Sequence, residues 1–549
     1  MQMFRHNPLT PSLQTKNLKM KVQMIFAGCI MVLFTTGLTS CGEDPGSEDP
    51  EVPFTRLVRD QSLQSTRLNR AVKYAVLLPE DYNTSNATYP VVYLLHGYGD
   101  SQTAWYTSGG LQYYVDRNAT TSVPMIFVMP EAYNTYYINR YNGNYPYMDM
   151  FVHELVPEID RKFRTKADKS QRAVMGYSMG GYGALILPAL NPDVFSVSVP
   201  LSMSFRTDEQ YLTETQGSFD IQWAPNFGPA KGVSGAARIS DYFKTHSPFH
   251  FFNAGTPPEH NQVKYFLDCG DDEESLIFTS NSLHALMRSA GIEHEYRVRS
   301  GGHSFDYWKQ SYQEALTFIS HAMQGIAYPS QPDPASPGEL ITTAQINTVE
   351  IAGRQVNIML PNDYAVATVH YPVLYFFHDT ATPDSYDNRI KAFSILRNAM
   401  TTTQLYQSVL VEIPAGEPVT ETFMEQVVSF VDTQYRTKSQ TANRVLIAQG
   451  AGGQYAVTVA AGVENLFGDC FLYNANLDNT SAPVSENVFY YLDITDGASS
   501  YEAYHALSKT LRNNQIGYEY RVRQGRDSFQ DFLNGLQSSF ATIKSSLNN

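Results

Sequence analysis

The chain has 549 residues, of which 43% are hydrophobic, 17% charged and 13% aromatic, and its formal net charge is −15. That length exceeds one compact domain, and the composition is that of a folded chain, not a disordered one. The acidic balance argues against nonspecific binding to nucleic acid or to an anionic membrane surface. No phosphate-binding loop and no zinc-like Cys/His spacing occurs, so no metal is expected.

Residues 1–40 read as a lipoprotein signal peptide. Lys16, Lys19 and Lys21 form a basic stretch before the apolar "VQMIFAGCIMVLFTTGL", and "LTSC" closes it at Cys41. Met20 offers an alternative start, and an uncleaved membrane anchor is the competing reading. The "LTSC" stretch resembles a bacterial lipobox, which implies cleavage before Cys41 and a lipid on its sulfur. Residues 41–54 are acidic and proline-containing, as a flexible tether would be. An acidic run after such a cysteine resembles a surface-export signal, so the expected location is the cell envelope, at the outer membrane or cell surface. Of the other cysteines, Cys29 lies in the leader, while Cys269 and Cys470 sit in apolar runs and read as small buried hydrophobes.

The remainder repeats itself. "YPVVYLLHGYGD" from Tyr89 matches "YPVLYFFHDTAT" from Tyr371, and "KYAVLLPEDYN" matches "QVNIMLPNDYA". "FVHELVPEIDRKFRTK" from Phe151 matches "FMEQVVSFVDTQYRTK" from Phe423, and "HEYRVRSGGHSFDYW" from His294 matches "YEYRVRQGRDSFQDF" from Tyr518. Four collinear matches define a first copy over 55–327, a Pro-rich linker over 328–339 and a second copy over 340–549. Each copy alternates short, continuously apolar strands with amphipathic helices. "FVHELVPEIDRKF", for example, sets Phe151, Leu155, Ile159 and Phe163 near a 3.6-residue period. The expected class is α/β, with two tandem domains, each a mostly parallel sheet with helices on both faces.

In copy one, "RAVMGYSMGGYGAL" predicts strand, sharp turn and helix with G-x-S-x-G at Gly176–Gly180, which makes Ser178 the candidate nucleophile. The helix start behind it favours developing negative charge. A serine hydroxyl needs a base, and "SGGHSFDYW" supplies His303 in a later loop. The acid is expected after the strand "VKYFLDC"; Asp272 is the choice, with Glu273 and Asp271 as rivals. Two amides are needed for an oxyanion, and those of Met179 and Tyr98 are the candidates. His96 reads as a structural histidine that holds the Tyr98 loop, in preference to a second base. The Tyr- and Asn-rich stretch Glu131–Met150 offers Tyr133, Asn134, Tyr136 and Tyr137 as substrate-binding residues, because tyrosine faces stack on sugar or feruloyl rings. The competing reading is an aromatic loop packed on the core.

Together "YLLHGYGD", "GYSMGGYGAL", "FLDCGDDE" and "GGHSFDYW" resemble the esterase D / feruloyl esterase family of α/β-hydrolases over about Thr55 to Ala327. The resemblance implies a cofactor-free serine esterase. In that family the acid often stands four residues after the position of Cys269, which here is Glu273; a one-residue loop insertion would move the role to Asp272.

Copy two lacks this chemistry. Gly450 faces Ser178, Asp527 faces His303, Gly497 stands near Asp272, and "FFHDTA" replaces the His-Gly pair of the oxyanion loop. It also lacks the counterpart of Ser202–Lys244, which reads as a lid or substrate wall in copy one. A catalytically inactive copy is expected, which packs on copy one, binds glycan or orients the enzyme on its tether. The functional expectation is an esterase that removes feruloyl or acetyl groups from plant polysaccharide. The alternatives are another acyl esterase or acyltransferase of the same family, or a non-catalytic glycan-binding surface lipoprotein.

Overall fold

The computed structural model describes residues 55–253, 255–256, 262–328, 334–381, 384–478 and 483–547. The signal peptide, Cys41 and the tether lie outside the described residues. No helix among the described residues is long and apolar enough to cross a membrane.

Copy one contributes eight strands: β1 Leu57–Ser65, β2 Arg70–Leu77, β3 Val91–Leu95, β4 Ile126–Pro130, β5 Arg172–Tyr177, β6 Val197–Leu201, β7 Lys264–Gly270 and β8 His294–Arg299. Copy two contributes eight more: β9 Asn347–Ile351, β10 Arg354–Met359, β11 Val373–His378, β12 Val409–Pro414, β13 Arg444–Gly450, β14 Asp469–Ala475, β15 Phe489–Thr495 and β16 Tyr518–Arg523. All sixteen belong to one sheet, ordered 1-2-4-3-5-6-7-8-16-15-14-13-11-12-10-9. Each half is antiparallel at its outer edge and parallel from β3 to β8 or from β11 to β16. Continuously apolar strands such as β3 (VVYLL) and β4 (IFVMP) are buried along their whole length, as a sheet covered on both faces requires.

The halves meet edge to edge. β8 pairs antiparallel with β16 at Val298 and Val522, which hold the same position in the two repeats. The pairing is therefore that of a twofold-related dimer interface placed within one chain. Strand alternation divides the core. Val91, Tyr93 and Leu95 join a cluster that runs through both copies, while Val92 and Leu94 join a cluster confined to copy one. A third cluster serves the corresponding face of copy two. The helices Glu274–Ser289 and Tyr501–Asn513 close the shared face over the seam, where the Tyr501 hydroxyl donates to Asn281 Oδ1 at 2.8 Å. The sequence predicted the two copies but not that they share a sheet.

The helix expected from Phe151 forms, but Phe151–Leu155 is a wider π turn before the α-helical Val156–Lys162; Phe151, Leu155 and Ile159 are buried and Phe163 follows half-buried. Ser202–Lys244, between β6 and β7, forms a packed wall over the helix Met179–Leu190 and not a hinged flap. Phe205 stacks on Tyr182 with ring centroids 4.7 Å apart, and Tyr211 stacks on Phe243 at 4.1 Å. Arg238, 3% exposed, donates to the carbonyls of Tyr211, Leu212, Val233 and Glu214. That arrangement satisfies acceptors no regular element would.

Candidate active site

Ser178 sits between the end of β5 and the helix Met179–Leu190, with φ 59° and ψ −121°. This left-handed backbone is costly for a residue with a side chain. The neighbouring glycines make room for it. A Cβ on Gly176 would land on the Gly180 carbonyl, and one on Gly180 would land on the Leu95 carbonyl.

His303 follows β8. Its Nε2 lies 2.8 Å from Ser178 Oγ, and its Nδ1 lies 2.7 Å from Glu273 Oε2. Glu273, not Asp272, is the carboxylate on this histidine. The chain leaving β7 turns so that Asp271 and Glu273 are buried while Asp272 faces solvent, which leaves the Asp272 side chain no path to the ring. Asp272 contributes only its backbone, whose amide donates to the Gly301 carbonyl at 3.1 Å. The Glu273 position four after Cys269 is thus the one the structure uses.

The second Glu273 oxygen is held too. Oε1 accepts from the Gly270 amide at 3.1 Å and from the Ser202 hydroxyl. Ser202 Oγ accepts in turn from Trp308 Nε1 at 2.7 Å, and the Trp308 ring meets His303 edge-on at 5.2 Å. The connected order is therefore Trp308, Ser202, Glu273, His303, Ser178. Sequence reasoning missed Ser202 and Trp308; the only signal was that Trp308 closes the same short motif as His303.

The loop after β3 is clamped from several sides. His96 Nε2 accepts from the Ala132 amide at 2.9 Å, so its proton sits on Nδ1, which donates to the Gly97 carbonyl at 2.8 Å. Glu131, 3.4 Å from Nε2, is then a neighbour and not an ion-pair partner. His96 is the structural histidine of the loop. Tyr177 donates to Asp100 Oδ2 at 2.7 Å, and Asn134 Oδ1 accepts from the Gly99 amide at 2.6 Å. Tyr98 rides on this loop, 40% exposed. Met179 opens the helix beyond Ser178, where the first-turn amides have no intrahelical acceptor.

The aromatic stretch differs from expectation. Tyr133, Asn134, Tyr136 and Tyr137 all have positive φ, between 50° and 60°; Tyr136 and Tyr137 are buried, while Tyr133 and Asn134 are half-buried. Tyr137 is fully buried and donates to the His96 carbonyl at 3.0 Å. Tyr136 is fully buried too; its hydroxyl takes the Gln222 amide, and its ring packs on Trp223. Tyr133 donates to the Ala71 carbonyl at 3.1 Å, with the Arg70 guanidinium over its ring at 4.0 Å. Tyr136 and Tyr137 thus pack within the protein and present no stacking face, while the half-buried Tyr133 and Asn134 hold neighbouring loops. Exposed apolar groups of this region include Tyr98 and Tyr141, each 40% exposed, and Ile221, 70% exposed beside Gln222.

Copy two holds a carboxylate, that of Asp379, where copy one has Gly97. Gly450, at φ 54°, takes the place of Ser178, and a Cβ there would stand 2.5 Å from Asp379 Oδ2. That oxygen accepts from the Ala451 amide at 3.0 Å. Ala451 corresponds to Met179, so the amide after the nucleophile position binds an anion within the same chain. Ala498 stands at the Glu273 position, and Asp527 accepts from the Ser499 amide at 2.7 Å. The three corresponding positions of copy two are therefore Gly450, Ala498 and Asp527, not Ser, acid and His.

Among the described residues, no group of three or more His, Cys, Asp or Glu side chains is arranged to hold a metal ion. Cys269 and Cys470 are free and buried, and burial pushes both thiols well up.

An esterase of Mycobacterium tuberculosis is 27% identical over 300 residues, covering 51% of this chain and 62% of its own length. This chain thus spans less than two thirds of that relative. An endo-1,4-beta-xylanase/feruloyl esterase of Xylanibacter ruminicola is 32% identical over 112 residues, 20% of this chain and 15% of that protein. A solved ferulic acid esterase overlays with a TM-score of 0.41 at 26% identity, covering 48% of this chain and 98% of that one. The family model described as "Putative esterase" matches twice, over 65–319 and 352–528. The two matches take in most of both repeats, and the chain belongs to that esterase family.

Proposed function

We propose that copy one is a serine carboxylic-ester hydrolase, and that its substrates are feruloyl or acetyl esters on plant polysaccharide. The contact of His303 with both Ser178 Oγ and Glu273 carries this reading. His303 Nε2 takes the Ser178 proton as Oγ attacks the ester carbonyl. Glu273 holds the ring and stabilises the imidazolium that forms. The Met179 and Tyr98 amides receive the oxyanion, and the carboxylate on the Ala451 amide supports the first of these roles. The imidazolium then protonates the leaving alcohol, and water activated by the same nitrogen releases the acid. The His303 side chain is 40% exposed, which favours water as the acceptor over transfer to a second alcohol.

The substrate class rests on the feruloyl esterase relative and on the exposed apolar faces of Tyr98 and Ile221. A lipid on Cys41 would hold the enzyme at the cell envelope, where an external polymer is met. Copy two, with Gly450, Ala498 and Asp527 at the three positions, takes no part in the chemistry.

The test is hydrolysis of acetylated xylan, methyl ferulate and p-nitrophenyl acetate by the wild type and Ser178→Ala. Release of acetate or ferulate that falls by about 10⁴-fold or more in the variant is expected. Wild-type activity in Ser178→Ala would refute the assignment, and inactivity of both on all three would refute the substrate class.

A further inference from the structure

The three acidic residues after β7 have separate tasks. Glu273 meets His303, Asp272 meets solvent, and Asp271 turns to copy two. Asp271 Oδ2 accepts from Arg521 Nη1 at 2.7 Å and from the Tyr520 amide at 3.1 Å, both on β16. Its Oδ1 accepts from the Gly301 amide at 3.0 Å. One buried carboxylate therefore ties copy two to the acid loop, two residues before Glu273, and to the base loop, two residues before His303. Gly301 is itself held at φ +135°, a conformation side chains rarely adopt, and its carbonyl accepts from the Asp272 amide. Burial pushes the Asp271 carboxyl above its ordinary range, and Arg521 acts against that shift. Without the guanidinium, a buried carboxylate between the two loops would lose its charged partner. Arg521 also meets Glu519 on its own strand.

We propose that Arg521 of copy two is a positioning residue for the chemistry of copy one. Acting through Asp271, it fixes the acid and base loops against each other, so that Glu273, His303 and Ser178 stay in line. This rests on the reading of those three as the catalytic groups. It gives the inactive copy a task that goes beyond packing.

The seam carries its own control. Asp496 is the counterpart of Asp271: its Oδ2 accepts from Arg297 Nη1 at 2.8 Å and from the Tyr296 amide at 3.4 Å, and its Oδ1 from the Gly525 amide at 3.1 Å. Behind it stand Ala498 and Asp527, with no chemistry to position. The contacts are symmetric and their consequences are not.

The experiment compares Arg521→Gln, Arg521→Lys and Asp496→Asn in the full chain, each well below its melting temperature. It reads kcat and KM on p-nitrophenyl acetate and the rate at which a fluorophosphonate labels Ser178. In Arg521→Gln, kcat and the labelling rate should both fall about tenfold, with KM within about twofold. Arg521→Lys, which keeps the cation but not the fork that also meets Glu519, should recover part of the loss. Asp496→Asn should lower the melting temperature and leave kcat unchanged. An unchanged kcat in Arg521→Gln overturns the proposal, and so does an equal loss of kcat in Asp496→Asn. Should Arg521→Gln not fold, Asp271→Asn keeps the shape but removes the charge, and takes its place with the same expectation. Ser178→Ala separates the two readings. If it is inactive while Arg521→Gln is fully active, only this inference fails; if it is active, the catalytic assignment fails and takes the inference with it.

Discussion

Glu273→Gln beside Asp272→Asn tests the acid assignment most directly. The Glu273 side chain is fully buried, and its Oε2 lies 2.7 Å from His303 Nδ1. When His303 becomes an imidazolium, the charges stand about 4 Å apart, worth about 4 kcal/mol at an effective dielectric constant near 20. That corresponds to a loss in kcat of about 10³-fold. A glutamine can also turn its amide nitrogen toward Nδ1, which selects the wrong tautomer and brings the loss nearer 10⁴-fold. Asp272 is exposed and makes no side-chain contact with the ring, so Asp272→Asn should change kcat by less than about twofold. The assay is initial-rate hydrolysis of p-nitrophenyl acetate at pH 8, with circular dichroism to show that both variants fold. Retention of more than a tenth of wild-type kcat in Glu273→Gln, or a loss in Asp272→Asn to match it, would refute the reasoning.

Placing Ser and His at the two corresponding positions of copy two should not create a reactive serine. In a Ser178→Ala background, Gly450→Ser with Asp527→His should take no fluorophosphonate label, because Asp379 fills the space at residue 450 and Ala498 offers no acid; labelling of the introduced serine would contradict this. Acid should also loosen the seam region. Burial pushes His294 and His505 down to about 4, while the unfolded imidazoles bind protons near pH 6.5. Between these values the unfolded chain holds more protons, so stability is full above about pH 6.5 and falls as pH drops toward 4. Thermal melts from pH 8 to 4.5 should show this fall, with a shallower slope in His505→Gln; an identical slope in that variant would exclude His505 as a source.

Much of this was legible because local chemistry dictated it. The G-x-S-x-G turn, the continuously apolar strands and the histidine after a Gly pair each have one good structural solution. What could not be read depended on neighbours far along the chain. Asp271, Asp272 and Glu273 are near-equivalent as letters. Only the turn after β7, and the presence of β16 on one side and Trp308 with Ser202 on the other, assigns each its direction. The tyrosines of Glu131–Met150 suggested a binding surface because composition reports residue type. Tyr136 and Tyr137 are instead buried, Tyr136 against Trp223 and Tyr137 on the His96 carbonyl.

The seam bears on how closely copy two, with Gly450, Ala498 and Asp527 at the three site positions, keeps the fold of copy one. β8 and β16 meet at equivalent valines, and Asp271 and Asp496 reach across to equivalent arginines and amides. In a twofold interface each residue serves both sides of the axis, so a change at one position disturbs a contact on the partner as well. Fused in one chain, the halves are free to differ wherever they do not touch. Gly450, Ala498 and Asp527 lie at the strand ends, and the missing wall lies above them. The "YRVR" stretch lies in the seam, and it is identical in both copies. Its arginines therefore answer to the neighbouring half as much as to their own, and for Arg521 that neighbour is the half that carries Ser178, Glu273 and His303.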